Sequence, residues 1–550
     1  MTRKNLSSDI WQMAGIMRSD DGTSGVYEYI EQISWMFFLK VFEDIENRLQ
    51  AEYQIEGKNY QRLIPSEYSW SSWTKANWKG DEILEFIDNK LFPYLGSLRK
   101  KDIPECKTIG IIFLQIKNNK MKSGYNLRDV IDVINDIDFN DPHDSHTLSQ
   151  FYEDLLVKLG KESGVAGEFY TPRPVVRLMV KMIDPKLNST KTLSTKILDP
   201  FCGSCGFLIE AYKHMVQDKM ITTKDYRELQ RSVFHGTEKK SLPFLVGIMN
   251  CILHELLTPN IIKNNSLNEN INNFGPDDKF DYVFTNPPFG GKEGEHIQEN
   301  FPIKIKKTEL LALQLVMRRL KDGGKCAIVV PEPILWRSSK YLKVRKDLLE
   351  NYNVHTIINM PAGVFANVTP SGLGPKTDLI FFNKDGKTKE IWYYELTPPN
   401  NKSYSRVNII KDEDLQDCFK KWENREVSNN SWTVTIEEIE KNAYDLTSNN
   451  PNTILGFNTQ NPRNIISEVI KNQNKIPYFL SKIDDIISTK NSDKTIFEDW
   501  KMLPLEQCLL PNDGIQSGFA CSKKNFVKNG IPHLKPYNIG QDGRLNLSHE

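Results

Sequence analysis

Within the run Asp281-Tyr282-Val283-Phe284-Thr285-Asn286-Pro287-Pro288-Phe289-Gly290, an apolar strand pattern passes straight into Asn-Pro-Pro-Phe. The two prolines fix their own φ and push the residue before each into extended geometry. Such a turn holds the Asn286 amide oxygen and the Pro287 carbonyl as rigid acceptors beside a strand end. Two acceptors facing one point suit an exocyclic amino group with two hydrogens. An amino nitrogen conjugated to a base ring is a poor nucleophile. Holding both hydrogens lets it move toward tetrahedral geometry as a methyl group arrives, so charge develops where acceptors already wait. Phe289 adds a flat face on which a base swung out of its stack can rest. Asn286, Pro287, Pro288 and Phe289 are therefore the candidate catalytic residues. An ordinary proline-rich turn is the plain alternative for so short a motif, and the clusters around it weigh against that.

Upstream, Ile197-Leu198-Asp199-Pro200-Phe201-Cys202-Gly203-Ser204-Cys205-Gly206-Phe207 reads as a strand ending in an acid, a loop of small residues and a helix beginning near Phe207. Glycine lets a ligand approach the backbone closely, and Asp199 can take hydrogen bonds or charge from a cationic cofactor. The loop lacks the Gly-x-Gly-x-x-Gly spacing of dinucleotide binders. Cys202 and Cys205 also have the spacing of a redox pair, although small residues in a cofactor loop account for both. The next strand pattern ends in Glu238, placed to receive the two hydroxyls of a ribose, while a solvated glutamate at a helix start is its plain alternative. Before the first strand, Gly167-Glu168-Phe169-Tyr170-Thr171-Pro172-Arg173 sets adjacent aromatics ahead of a helix start. There Thr171 is expected to cap the helix and the aromatics to wall a pocket.

The elements that must carry these residues are legible as texture. Between about 164 and 384, short β-branched runs at 195–198, 232–235, 281–285, 326–330, 355–359 and 378–382 alternate with helical patterns. That alternation predicts a mostly parallel sheet covered by helices, with ligands beyond the carboxyl ends of its strands. The first 150 residues read as helical: Val26, Ile30, Ile33, Phe37, Val41 and Ile45 recur at three- and four-residue steps, widened by Trp35, Phe38, Leu39 and Phe42. After Lys384 the chain is rich in Asn, Ser, Lys and Glu, and 465–487 shows another helical pattern. With 39% hydrophobic and 26% charged residues, the 550-residue chain has the composition of a folded, several-domain protein rather than a disordered one. No run reaches the roughly 18–20 apolar residues a membrane span needs, so no membrane is expected. Eight cysteines in a chain this long make no disulfide framework and suit a reducing cytoplasm. Lys plus Arg equals Asp plus Glu at 71 each, so any grip on nucleic acid must be local or shared with a partner.

Taken in order, Gly-Glu-Phe-Tyr-Thr-Pro-Arg-Pro at 167–174, Asp-Pro-Phe-Cys-Gly-Ser-Cys-Gly-Phe at 199–207, Glu238 and Asn-Pro-Pro-Phe-Gly-Gly at 286–291 resemble the gamma-class amino-methyltransferases. Within that class the chain is most similar to the modification subunits of type I restriction enzymes. The likeness takes in Gly323-Gly324-Lys325-Cys326-Ala327, Met360-Pro361-Ala362-Gly363-Val364-Phe365 and Ala443-Tyr444-Asp445-Leu446, and so covers about residues 5–490. It implies an α/β, Rossmann-like methyltransferase fold with a seven-stranded mixed sheet, a helical amino-terminal domain and a helical carboxy-terminal segment. The domains expected are 1–150 helical, 151–395 catalytic, 396–495 helical and 496–550 a partial target-recognition domain like that of a specificity subunit. The last rests on Trp500-Lys501-Met502-Leu503-Pro504-Leu505 and Gly530-Ile531-Pro532-His533-Leu534.

The resemblance further implies S-adenosyl-L-methionine as cofactor, held by Glu168, Phe169, Tyr170, Thr171, Pro172, Arg173, Asp199, Gly203, Ser204, Cys205 and Glu238. The chain reads Lys263-Asn264-Asn265 where relatives usually carry an acid after the third strand, so Asn265 takes the position facing the cofactor's adenine. The implied reaction is in-line methyl transfer to N6 of an adenine flipped from double-stranded DNA, without metal or covalent enzyme intermediate. Cytosine N4 and a scaffold that binds cofactor without transferring methyl groups remain open. The implied partners are a specificity subunit or fused specificity domain, a second methyltransferase subunit and a motor–nuclease restriction subunit. The setting is the cytoplasm of a bacterium or archaeon.

Overall fold

Asn286 follows the end of the fourth of the nine strands found among the described residues, close to the middle of a mixed sheet. The computed structural model describes residues 6–451, apart from 77, 79, 138–169, 188–193, 218–222, 367–375, 400–401, 406 and 449. The chain divides into two units, Met1–Ile454 and Leu455–Glu550. The second, with the 465–487 helical pattern and the expected partial recognition domain, lies outside the described residues.

The strands are β1 (Ile197–Asp199), β2 (Phe234–Glu238), β3 (Asn260–Lys263), β4 (Phe280–Thr285), β5 (Leu320–Pro331), β6 (Asn353–Asn359), β7 (Thr377–Asn383), β8 (Glu390–Glu395) and β9 (Ser431–Thr435). Their order is β3-β2-β1-β4-β5-β7-β6-β8-β9, and the first seven in chain order form one contiguous block. β1 to β5 pair in parallel, β7 runs antiparallel between β5 and β6, β8 pairs in parallel with β6, and β9 returns antiparallel. The expected seven strands are thus corrected to nine. β9 falls within the 396–495 stretch expected to be helical, because Trp432 turns into the core while Thr433 and Thr435 stay exposed.

The order reverses at β1, whose two neighbours are β2 and β4. Such a reversal opens a crevice beyond the carboxyl ends of the strands. Asp199, Glu238 and Asn286 stand at or just after the carboxyl ends of β1, β2 and β4. Buried runs such as Ala327, Ile328, Val329 and Val330 in β5 show why these strands read as continuously apolar: helices cover both faces.

The amino-terminal part is helical, with Leu6–Arg18, Val26–Ile55, Pro104–Ile116 and Gly124–Asn135 as its longer helices. The apolar stripe read from the sequence is buried, and Trp35 meets Phe92 edge-on at 5.0 Å between ring centroids. Its core includes Phe244, Leu245, Ile248, Met249 and Ile252 from the Ser241–Leu253 helix of the sheet domain. That helix packs against both the Val26–Ile55 and the Pro104–Ile116 helices. One apolar core therefore spans the boundary between the helical part and the sheet.

Candidate active site

The loop after β1 is shaped by two left-handed residues, Gly203 (φ 48°) and Cys205 (φ 61°), before the Gly206–Val216 helix begins. It is clamped from behind by the Ser241–Leu253 helix, where Asn250 Nδ2 donates to the Ser204 carbonyl at 2.8 Å. A Cβ on Gly247 would stand 2.6 Å from the Gly203 carbonyl oxygen, so only glycine lets the helix come this close. On the open side, the buried Arg173 guanidinium occupies the space of a Gly206 side chain: a Cβ there would lie 1.4 Å from Nη1. Arg173 also reaches Ser204 Oγ at 3.4 Å and lies 5.0 Å from the Tyr170 ring centre.

Asp199 is buried, and desolvation pushes its carboxyl up to about 7. Its Oδ1 accepts from Thr285 Oγ1 at 2.8 Å and from the Phe201 N–H at 3.1 Å, which offset part of that rise. Glu238, also raised by burial, accepts from the Lys240 N–H at 2.7 Å and the Gly203 N–H at 3.1 Å. The two acids thus flank one loop with their carboxylates fixed by backbone donors. The cysteines do not form a reactive pair. Cys202 is pushed well up by its hydrogen bond with Cys205 and by burial. In Cys205 a bond from Cys202 pulls down, but the bond with Cys251 and burial outweigh it. Buried thiols held in the protonated form are poor nucleophiles.

Asn286 stands where two cavities meet. The smaller, about 40 Å³, is bounded by Tyr170, Thr171, Arg173, Asp199 and the 201–207 loop. The larger, about 360 Å³, takes in Glu238, Asn265, Pro287, Pro288 and Phe289, and falls within the roughly 300–1,000 Å³ of small-molecule sites. Asn286 Nδ2 donates to Thr171 Oγ1 at 3.1 Å, while its Oδ1 is buried with no partner. An unsatisfied buried acceptor costs about 1–3 kcal/mol, so its persistence points to a ligand donor.

The structure brings most of the expected residues to this place and revises some of their roles. The helix after Pro172 starts at Arg173 with Pro172 at the capping position, so Thr171 is not its cap; the hydroxyl serves Asn286 instead. Asn265 lines the larger cavity, yet its Oδ1 accepts from the Leu267 N–H at 3.2 Å and caps a short 3₁₀ turn. Glu168 and Phe169 lie outside the described residues. Several lining residues went unassigned in the sequence, Phe201, Lys239, Glu293, Thr308 and Phe365 among them. Phe201 and Lys239 adjoin motif residues, and Phe365 ends a run of Gly-Val-Phe that follows the carboxyl end of β6, which was the available signal.

Comparison with known proteins agrees with this geometry. Residues 143–455 match the N-6 DNA Methylase family, and residues 6–134 match the HsdM N-terminal domain. The EcoEI methylase subunit of a type I restriction enzyme from Escherichia coli is 38% identical over 81% of this chain and 90% of its own length. A crystal structure of a modification subunit of a putative type I restriction enzyme from Vibrio vulnificus YJ016 is 36% identical. It superposes with a TM-score of 0.75 over 82% of this chain and 98% of that one. A chain from structural work on complex assembly and conformational transition of the type I R-M system is 40% identical, with a TM-score of 0.68 over 90% of this chain and 100% of that one. With the family match spanning more than half of the sequence and the order of site motifs in place, the chain belongs to the methylase (modification) subunits of type I restriction–modification systems, adenine-specific DNA methyltransferases of the N-6 DNA methylase family.

Proposed function

We propose that the two adjoining cavities form one reaction site, with S-adenosyl-L-methionine held between Asp199, which lines the smaller, and Glu238, which lines one side of the larger, and with the target adenine against Asn286, Pro287, Pro288 and Phe289. The observation that carries this reading is the unpartnered Oδ1 of Asn286 at the junction of the cavities. The cofactor, when bound, supplies an electrophilic methyl group on a sulfonium. The donor set fits such a cation: Asp199 and Glu238 are carboxylates on either side of the glycine-containing loop, which leaves room for close approach. Thr171 Oγ1 accepts from the Asn286 amide nitrogen, which leaves the Asn286 oxygen as the acceptor still to be satisfied. That oxygen and the Pro287 carbonyl accept the two amino hydrogens of adenine, and Phe289 with Phe365 offers aromatic faces to the ring. Arg173 and Tyr170 close the cofactor end, with Gly203 and Ser204 in its wall, Pro172 and the left-handed Cys205 setting the turns behind it, and Asn265 at the adenine side.

In the same reading, 1–150 is the helical domain, 151–395 holds most of the catalytic sheet, 396–495 carries further helices and the last strand, and 496–550 begins a recognition domain. A specificity subunit or fused specificity domain, a second methyltransferase subunit and a motor–nuclease subunit are the partners, in the cytoplasm.

The test is Asn286→Ala. Methyl transfer to DNA should fall by at least ~100-fold, the scale for removing one preorganised polar group. Cofactor affinity, read by calorimetry, should stay within a few-fold of the parent. A folded variant that no longer binds cofactor overturns this division.

A further inference from the structure

The hairpin-like excursion between β4 and the Thr308–Arg319 helix carries Lys304 and Lys306, both exposed. It is tied to the site described above. Glu293 and Thr308 line the Asn286 cavity, the Glu293 N–H donates to the Lys306 carbonyl at 2.8 Å, and Thr308 Oγ1 donates to Glu293 Oε1 at 2.9 Å. A second segment, just past the carboxyl end of β5, carries exposed Arg337, Lys340 and Lys343. The Lys340 ammonium donates to the Lys304 carbonyl, so the two segments form one surface, joined to the cavity wall through Glu293 and Thr308.

Within the excursion the acids Glu293, Glu295 and Glu299 come first, and the part that meets the second segment is basic. Residues 302–307 hold three lysines and no acid, although the whole chain is neutral. Lys304 has Glu299 at 3.8 Å, while Lys306, Arg337, Lys340 and Lys343 have no carboxylate within ion-pair distance among the described residues. Arg337 is oriented by aromatics, with its guanidinium 5.5 Å from the centre of the exposed Trp336 ring and 5.8 Å from that of Tyr341. Ser339, between these cations, sits at φ 64° and makes no side-chain cap, and the Lys340–Asn351 helix begins without an acid in its first turn. Cations at the positive end of a helix repel its dipole, and a bound anion relieves that. A rim of cations, four of the five without an ion-pair partner among the described residues, beside a cavity sized for a base matches a chain of phosphates flanking one extruded nucleotide, spaced closely enough for several lysines at once.

We propose that Lys304, Lys306, Arg337, Lys340 and Lys343 form the rim by which this chain itself grips the phosphate backbone of the DNA strand whose adenine enters the Asn286 cavity, an inference that rests on the base-binding reading of that cavity. The rim carries no base readout. It fixes where the backbone lies, so that extrusion delivers the base to Asn286 rather than into solvent.

The experiment uses the full chain and a fluorescent mixed-sequence duplex, with binding followed by anisotropy across a salt series. The variants are Lys304→Ala, Lys306→Ala, Lys340→Ala and Lys343→Ala combined, and the same four positions changed to Arg. Each lost phosphate contact reduces the slope of log affinity against log salt by about 0.9. The alanine variant should therefore lose about 3 or more from the slope, and the arginine variant should keep it. Cofactor binding and the melting temperature of the alanine variant should match the parent. A parental slope in the alanine variant overturns the proposal, as does undetectable binding by the parent at low salt. Binding of an acidic polypeptide that competes for the rim while the DNA slope is unchanged also overturns it, in favour of a protein partner. Failure of the parent chain to bind cofactor would instead sink the underlying reading, because the slope is measured without it.

Discussion

Asp199 keeps an ionisable carboxyl in a place that disfavours its charge, and this has a consequence in pH. Burial holds the group near 7, against an ordinary value of 3.8. Below that point Asp199 is neutral and attracts a cationic cofactor weakly; as pH rises through about 7 it ionises and binding tightens. Cofactor affinity should therefore increase between about pH 6 and 8, with proton release on binding at the lower end. Calorimetry in buffers of different ionisation enthalpy reads that proton directly, and Asp199→Asn should flatten the pH profile. A parent chain with the same affinity at both ends would remove Asp199 from cofactor recognition. At this scale the sequence was informative wherever a residue's chemistry is local. The rigidity of Asn286-Pro287-Pro288 follows from covalent geometry alone. The role of Thr171 does not: only the fold brings it beside Asn286, 115 positions away along the chain. The same holds for Thr285, whose donation to Asp199 crosses from β4 to β1.

Among the elements, the meeting of the Gly206–Val216 helix with Arg173 has least room to spare. Gly206→Ala places a methyl where the guanidinium lies, so Arg173 must leave its position beside Ser204. Overpacking of this kind costs about 1–3 kcal/mol. The variant should melt several degrees lower and bind cofactor at least ~10-fold more weakly, since the loop and Arg173 move together. Thermal melts with and without cofactor check both, and unchanged values would mean that Arg173 is free to shift. The strands of the sheet centre could be read because their Val, Ile and Phe runs are buried on both faces. The last two could not. β8 is bracketed by Glu390 and Glu395, and β9 alternates Trp432 and Val434 with exposed threonines inside a polar stretch. Strands this polar at their ends owe their place to a neighbour's hydrogen bonds, β8 to β6 and β9, and β9 to β8, and a single sequence window does not contain the neighbour. The stripe of the Val26–Ile55 helix could be read because the pattern repeats from Val26 to Ile45, over more than five turns.

For the molecule as a whole, zero net charge and a confined basic rim lead to the same expectation. Counterion release from few phosphates gives weak affinity, so the isolated chain should bind random duplex at about 10⁻⁴–10⁻⁶ M near physiological salt. Adding a specificity subunit should make binding tight and sequence-dependent; nanomolar, selective binding by the chain alone would contradict this. The change from a helical amino-terminal part to a sheet was legible from texture, but the joint between them was not. The Ser241–Leu253 helix reads as one more apolar segment, and nothing in its residues announces that it serves two cores.

That shared helix also constrains how such chains can recombine. A crossover placed between the amino-terminal helices and the sheet sets Phe244, Leu245, Ile248, Met249 and Ile252 against a foreign surface. Each of these side chains contributes about 1.5–3 kcal/mol when fully buried. Net stabilities are only about 5–15 kcal/mol, so a poor match is enough to erase the fold. The opposite face of the same helix clamps the loop after β1 through Gly247 and Asn250. A mismatch too mild to unfold the chain would still reach methyl transfer. Exchangeable parts in this lineage are therefore bounded by packed faces rather than by positions in sequence, and residues 241–253 must be inherited together with the amino-terminal helices they complete.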